Sequence, residues 1–425
     1  LLPSGSGGKQ FDFVASGTLP NGRAVILKAN GQVELVAPVA EELGTPVVFE
    51  SASCAYLSAT FDSTNNKVVI AYQTGGSSYG YAIVGTVSGA SISFGSPTVF
   101  NSGPSSGISA VHDSGNNKLV ISYYDSGSTA GEAVVGTVSG TSISFGTPVV
   151  FNSGSGSETT ALYDSANGKV VIVYKGGSSY GTAIVGTISG TSISFGTSAV
   201  FATSNTFVPS AAYDSTNGKV VIAWRDIGSS SYGNSRVGTV SGTSISYGTA
   251  VFFNSGTTYD TATAFDSANG KAVIAYKNNA NSNFGTAIVG TVSGTSISYG
   301  TAVVFNSATS NSLSATFDST DNKVVIAYSN IGNSNAGTTI FGTISGTSIS
   351  FGTPVVFESG SSSYITNTYG NGAVISAYTD VASSAYGTSA VFKPASTNLT
   401  ATNFVGITDE AISSAATGKV TIKGG

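Results

Sequence analysis

The chain has 425 residues and a formal net charge of −5, with 9% charged and 40% hydrophobic residues. That is enough apolar material for a large core, but the surface must be built from neutral hydroxyls and amides. The balance argues against a nucleic-acid partner, which needs clustered Lys or Arg; no apolar run approaches the roughly 20 residues that span a bilayer, and Cys54 stands alone, so no intrachain disulfide forms.

Residues 1–36 form a β-rich flank, expected to be part of a shaft or of a small β domain. They contain no Met, nor does the rest of the chain, as expected of a processed form or a fragment. Leu43–Ser51 then reads Leu-Gly-Thr-Pro-Val-Val-Phe-Glu-Ser, and Phe351–Ser359 reads Phe-Gly-Thr-Pro-Val-Val-Phe-Glu-Ser. Between and after these copies lies a repeat. Its turn aspartate recurs as Asp62, Asp113, Asp164, Asp214, Asp266 and Asp318, a mean spacing of about 51 residues, near the length of a propeller blade. A seventh copy at 369–378 has Gly370 in place of the aspartate.

Each copy resolves into four strands. In the third copy these are strand A at 158–164, strand B at 169–174, strand C at 181–189 and strand D at 191–201. All are rich in Val, Ile, Thr, Tyr and Phe and bounded by Gly, Asn and Ser. Strand B (Val170, Val171, Ile172, Val173, Tyr174) is apolar without alternation, as a strand covered on both faces is. The Asp-Ser-Ala-Asn-Gly turn at 164–168 supplies a side-chain acceptor and a residue tolerant of φ > 0. A calcium loop would need several alternating carboxylates and a closing Glu, and no metal or other cofactor is expected. The last copy ends near Phe392 without a strand D, so residues near 37–50 are expected to complete it beside 386–393, hiding open edges. The expected fold is an all-β, seven-bladed β-propeller of four-stranded blades over 37–393, closed by an N-terminal strand, with short β-rich flanks at 1–36 and 394–425.

In this arrangement the A–B and C–D hairpins share one face, which is nearly constant between copies. The B–C and D–A loops share the other, which varies. After the strand B aromatic come Gln73, Tyr124, Lys175, Arg225, Lys277, Ser329 and Thr379. Recognition usually resides on loops held by a rigid scaffold. The fourth copy departs most: Trp224 replaces Tyr, Arg225 and Asp226 follow, and Asn234-Ser235-Arg236 replaces Thr-Ala-Ile. One reading is a glycan or protein contact made from an aromatic platform and a charged pair; the other is repeat drift with a surface ion pair worth about 0–1 kcal/mol. Phe207 and Tyr259 stand in the variable D–A segments. Tyr79, Tyr180, Tyr232, Phe284 and Tyr386 precede glycine at the end of the B–C loop. They are either stacking platforms or packing over the blade edge.

No catalytic set emerges. His112 has no partner ligands for a metal and takes a packing position held elsewhere by Phe61 and Tyr163. Glu132, Glu158 and Asp260 belong to different copies, whereas glycoside hydrolysis needs two acids across one cleft. A binding protein is expected rather than an enzyme.

The flanks carry a resemblance. Ser16–Val33 (Ser-Gly-Thr-Leu-Pro-Asn-Gly-Arg-Ala-Val-Ile-Leu-Lys-Ala-Asn-Gly-Gln-Val) and Asn403–Ile412, followed by 416–421, resemble segments of tail-fibre and virion-appendage proteins of marine bacteriophages, including cyanophages. The Ser-Gly-Thr-Ser-Ile-Ser-Phe-Gly-Thr-Pro-Val-Val-Phe repeat resembles propeller arrays in that setting. The resemblance implies a structural and attachment protein on the virion surface, outside the host cell. Its implied partners are a host cell-surface glycan or protein and, through the flanks, other virion proteins; a homo-oligomer is implied too. It transfers no catalytic residue, and it implies a continuation beyond Gly425. Two other readings remain: an assembly element or spacer without a receptor, and a secreted glycan-active enzyme.

Overall fold

The computed structural model describes residues 9–397, 399 and 403–422. It divides into a unit spanning Leu43–Lys393 and a unit formed by the two flanks, Leu1–Glu42 with Pro394–Gly425.

The larger unit is a β-propeller. Its repeating element is an antiparallel sheet centred on strand B, which occurs at Lys67–Thr74, Lys118–Asp125, Lys169–Lys175, Lys219–Asp226, Lys271–Asn278, Lys323–Asn330 and Ala373–Asp380. In the third repeat, strand A (Ser157–Asp164) pairs with Lys169–Lys175, which pairs with strand C (Tyr180–Ser189). Strand C then pairs with Ser192–Phe195 through one half and with the start of Ala199–Asp214 through the other. Neighbouring blades cover both faces of strand B, so Val170, Val171, Ile172 and Val173 are fully buried. That double cover is the physical reason for its unbroken apolar run. The hydrophobic clusters accordingly bridge blades: Phe201, at the end of one blade, packs on Trp224 and Tyr247 of the next.

The D–A segments differ from the loops expected there. In most repeats D and A form one continuous strand, as in the 16-residue Val47–Asp62. Its first half pairs with strand C of one blade and its second half with strand B of the next. Both halves thus find a strand partner, and a chain rich in Ser, Gly and Asn stays extended. Only in the third repeat does the strand divide, into Val149–Asn152 and Ser157–Asp164. A β-bulge marks the junction in each repeat, for example between Phe207 and Ser210.

Strand A is the inner edge of each blade, and its free N–H groups need partners. Side-chain hydroxyls from the preceding blade supply several of them. Ala110 N donates to Ser58 Oγ at 3.0 Å and Ala161 N to Ser109 Oγ at 2.9 Å. Asn367 N donates to Ser314 Oγ at 3.0 Å, and Ala59 N to Thr366 Oγ1 at 3.1 Å. The last bond crosses the ring closure, where the final strand C pairs with the N-terminal strand: Thr388 lies opposite Val48 and Ser389 opposite Val47.

The A–B turns close on their own aspartates. Asp214 Oδ1 accepts from Thr216 N at 3.0 Å and Asn217 N at 2.9 Å, and Oδ2 from Asn217 Nδ2 at 2.8 Å. The lysine after the turn bonds a hydroxyl on strand C, as Lys169 Nζ does with Thr187 Oγ1 at 2.9 Å. In the flank unit, Lys9–Val14, Thr417–Ile422, Phe404–Thr408, Ala24–Leu27 and Val33–Leu35 form one sheet in that spatial order. Ala15, Leu19, Val25, Val33, Ile412 and Val420 make its core. Pro38–Val39 pairs with Ser396–Thr397 in the same unit, which therefore takes in residues up to 42. Residues 423–425, where a continuation was expected, lie outside the described residues.

Candidate functional site

The fourth repeat owes its character to three exchanges on strands B and C. Trp224 occupies the place held by Tyr72, Tyr123, Tyr174, Tyr276, Tyr328 and Tyr378. It is no exposed platform: it is 1% exposed, with its ring edge-on to Phe201 at 5.1 Å. The cause is its position at the end of a strand covered on both faces. Several of the equivalent tyrosines anchor a carboxylate. Tyr72 donates to Glu50 at 3.2 Å, Tyr123 to Glu132 at 2.9 Å and Tyr378 to Glu358 at 3.0 Å. The indole Nε1 of Trp224 is buried and has no hydrogen-bond partner.

Arg225 and Asp226 do not form the expected pair. Successive strand residues point to opposite faces, and among the described residues no ion pair joins them. Asp226 is buried and caps the short 3-10 turn Ile227–Ser229, accepting from Ser229 N at 3.3 Å. It also accepts from the Ser204 hydroxyl and, through Oδ2, from Asn234 Nδ2 at 3.3 Å. Arg236 stands where other repeats carry Ile184, Ile288 and Ile340. It donates from Nε to Gly248 O of its own blade at 2.7 Å and from Nη1 to Phe201 O of the preceding blade at 2.5 Å.

These exchanges meet around one cavity of about 420 Å³ between two blades, lined by Trp224, Asp226, Asn234 and Arg236 together with Phe201–Ser204 and Ser229. Its volume lies in the range that accepts a small organic ligand. The equivalent space one blade earlier, lined by Tyr174, Tyr180 and Thr182, measures about 160 Å³. The gap beside the fourth repeat is thus larger than the one a blade earlier. Ser204 and Ser229 were not singled out from the sequence, because only the folded chain brings the preceding blade's strand, with Ser204, against the turn that carries Ser229.

The other expected residues divide. Phe207 and Tyr259 lie away from this cavity, at the A-strand bulges, with Arg225 placed 4.2 Å over the Tyr259 ring. Lys175 and Lys277 belong with them and were missed as site residues. Tyr79 and Tyr180 are exposed at the start of strand C. Tyr232, in the same position, is half-buried with its ring edge-on to Phe252 at 5.6 Å. Phe284 and Tyr386 are half-buried too, and Ala130 and Ala336 interrupt the series. A continuous ring of platforms is therefore not present. His112 is buried, with Nε2 3.1 Å from Asp62 Oδ1 of the preceding turn.

No family of known proteins and no curated protein matches the sequence. Among solved structures, the chain is similar to the BP39L lectin from Burkholderia pseudomallei, with a TM-score of 0.60 and 8% identity, covering 83% of this chain and 99% of the lectin. It is also similar to the Cps50 (Swd1) β-propeller domain from Myceliophthora thermophila, with a TM-score of 0.52 and 9% identity over 81% and 98% of the two chains. A protein from Lactobacillus plantarum gives a TM-score of 0.51 and 11% identity over 83% and 98%. At such identities the likeness establishes the β-propeller fold and nothing finer.

Proposed function

We propose that this chain is a carbohydrate-binding propeller carried by a virion appendage, where it attaches the particle to a glycan on the host surface. The observation that carries the reading is the inter-blade cavity of the fourth repeat, with an aromatic wall, a carboxylate, an amide and a guanidinium around about 420 Å³. The indole N–H of Trp224 is buried beside this cavity without a partner, a cost that the fold carries there. The fold shared with a lectin supports binding of a sugar, and the resemblance of the flanks to phage appendage proteins supports the virion setting. Binding without chemistry is favoured because the turn aspartates are engaged by their own turns and Glu50, Glu132 and Glu358 accept from tyrosines.

The assembly reading has one observation in its favour. Val48, Val150, Phe252 and their equivalents sit at the same place on each outer strand and are 39–50% exposed, an apolar band suited to packing against neighbours. A glycan array probed with the full chain and with Trp224→Phe separates the two readings. The wild type is expected to retain a subset of glycans, and the variant to lose about tenfold in affinity for them while staying folded at the assay temperature, its melting temperature lowered by the lost core packing. Retention of no glycan by the wild type contradicts the lectin reading; equal retention by both places the sugar outside this cavity.

A further inference from the structure

The register of the A and B strands places a second group of side chains on the bulge side of the propeller. Strand pairing sets Ser157 opposite Lys175, Phe207 opposite Arg225 and Tyr259 opposite Lys277. Each cation then leans towards the next repeat. Lys175 Nζ lies 3.5 Å from the Phe207 ring centre, and Arg225 Cζ lies 4.2 Å from that of Tyr259. Lys277 Nζ lies 2.8 Å from Asn311 Oδ1 and also 5.2 Å from the Tyr259 ring centre. The result is an alternating row of cation and ring, Lys175–Phe207–Arg225–Tyr259–Lys277, crossing three consecutive repeats. The same B-strand position in the other repeats is neutral: Gln73, Tyr124, Ser329 and Thr379.

The charges in this row do not cancel. Lys175 has Glu158 at 3.8 Å and Lys277 has Asp260 at 3.3 Å. Both carboxylates stand on left-handed bulge residues, with φ of 53° and 42°. Arg225, between the two lysines, has no carboxylate within 4.0 Å among the described residues. Its Nη2 bonds Ser231 Oγ at 3.2 Å, and its Nε is buried without a hydrogen-bond partner. A guanidinium held between two rings, desolvated on one side and short of acceptors, is disposed to take an oxyanion through paired N–H bonds.

We propose that Arg225, with Phe207 and Tyr259 holding it, is a subsite for the sulfate or carboxylate group of an acidic glycan. This rests on the carbohydrate-binding reading and names the class of sugar. Neutral glycans gain nothing from Arg225.

Titration calorimetry of the full chain tests this with three oligosaccharides of equal length, one sulfated, one uronate and one neutral, at low and high salt. Wild-type protein is expected to bind at least one acidic oligosaccharide more tightly than the neutral one, with the preference shrinking as salt rises. Arg225→Gln is expected to weaken the acidic ligand about tenfold and leave the neutral one unchanged, with Arg225→Lys falling between. Melting temperatures of both variants show that the fold survives. Competition by inorganic sulfate at millimolar concentration, without any preference for the sulfated oligosaccharide, assigns the site to a free anion and overturns the glycan subsite. Equal affinity for acidic and neutral oligosaccharides, or no effect of Arg225→Gln, overturns it while leaving the lectin reading intact. Binding of none of the three overturns both.

Discussion

Two adjacent residues of the fourth repeat show how strand geometry assigns roles that composition does not. Trp224 and Arg225 are neighbours in sequence, yet one closes the hydrophobic contact between blades and the other joins the cation–ring row. The four apolar residues before Trp224 already mark a strand buried on both faces, so its burial was legible. Its exchange for the usual Tyr pointed to an aromatic platform instead. The relation of Arg225 to Tyr259 was not legible, because it depends on a bulge that shifts register between repeats. Cys54 is another residue defined by its surroundings. It is 3% exposed, and burial, reinforced by the negative charge of Glu50, pushes its thiol up to about 12. A raised value keeps the proton on sulfur throughout the neutral range, and the thiolate is the nucleophile. Cys54 is therefore expected to react with iodoacetamide at neutral pH far more slowly in the native protein than in denaturant. Equal rates, followed by mass spectrometry, contradict this burial.

At the scale of the element, most of the fold was readable because each strand and turn repeats under the same constraints. Strand B announces itself by an unbroken apolar run, the A–B turn by its aspartate and following Asn, and the closing strand by its match to 351–359. The D–A connection was misread as loops because Ser, Gly and Asn in a variable segment resemble turn chemistry. What keeps those residues extended is pairing with two different blades, a long-range cause with no local signature. The hydroxyls on strand A were similarly silent in sequence, although they satisfy the inner edge. Ser58→Ala removes the acceptor for Ala110 N, and an unsatisfied buried N–H costs about 1–3 kcal/mol. The urea midpoint is expected to fall accordingly. Ser142→Ala, on an exposed hairpin, is expected to change stability by less than about 0.5 kcal/mol. Equal effects of the two substitutions would remove the hydroxyl contacts from the account of the ring.

For the whole molecule, the same scaffold carries a repeated frame and one repeat that departs from it. The frame is neutral, hydrogen-bonded within itself and closed by pairing its two ends. The departures gather in adjacent repeats, where they open a polar cavity and line up three cations. This concentration of change on an otherwise repetitive ring is what the proposed binding site rests on. Sequence comparison between copies located the departing repeat but not the cavity, since half of its wall comes from the preceding blade. The chain has a single Trp, and it lines that cavity, so its emission reports on occupancy directly. The decisive measurement is a fluorescence titration of the full chain with the sulfated, uronate and neutral oligosaccharides used for calorimetry. The account predicts a saturable change in tryptophan emission, with a midpoint that matches the calorimetric affinity. Binding that leaves the emission untouched would place the sugar elsewhere, and no binding at any concentration would contradict the carbohydrate reading itself.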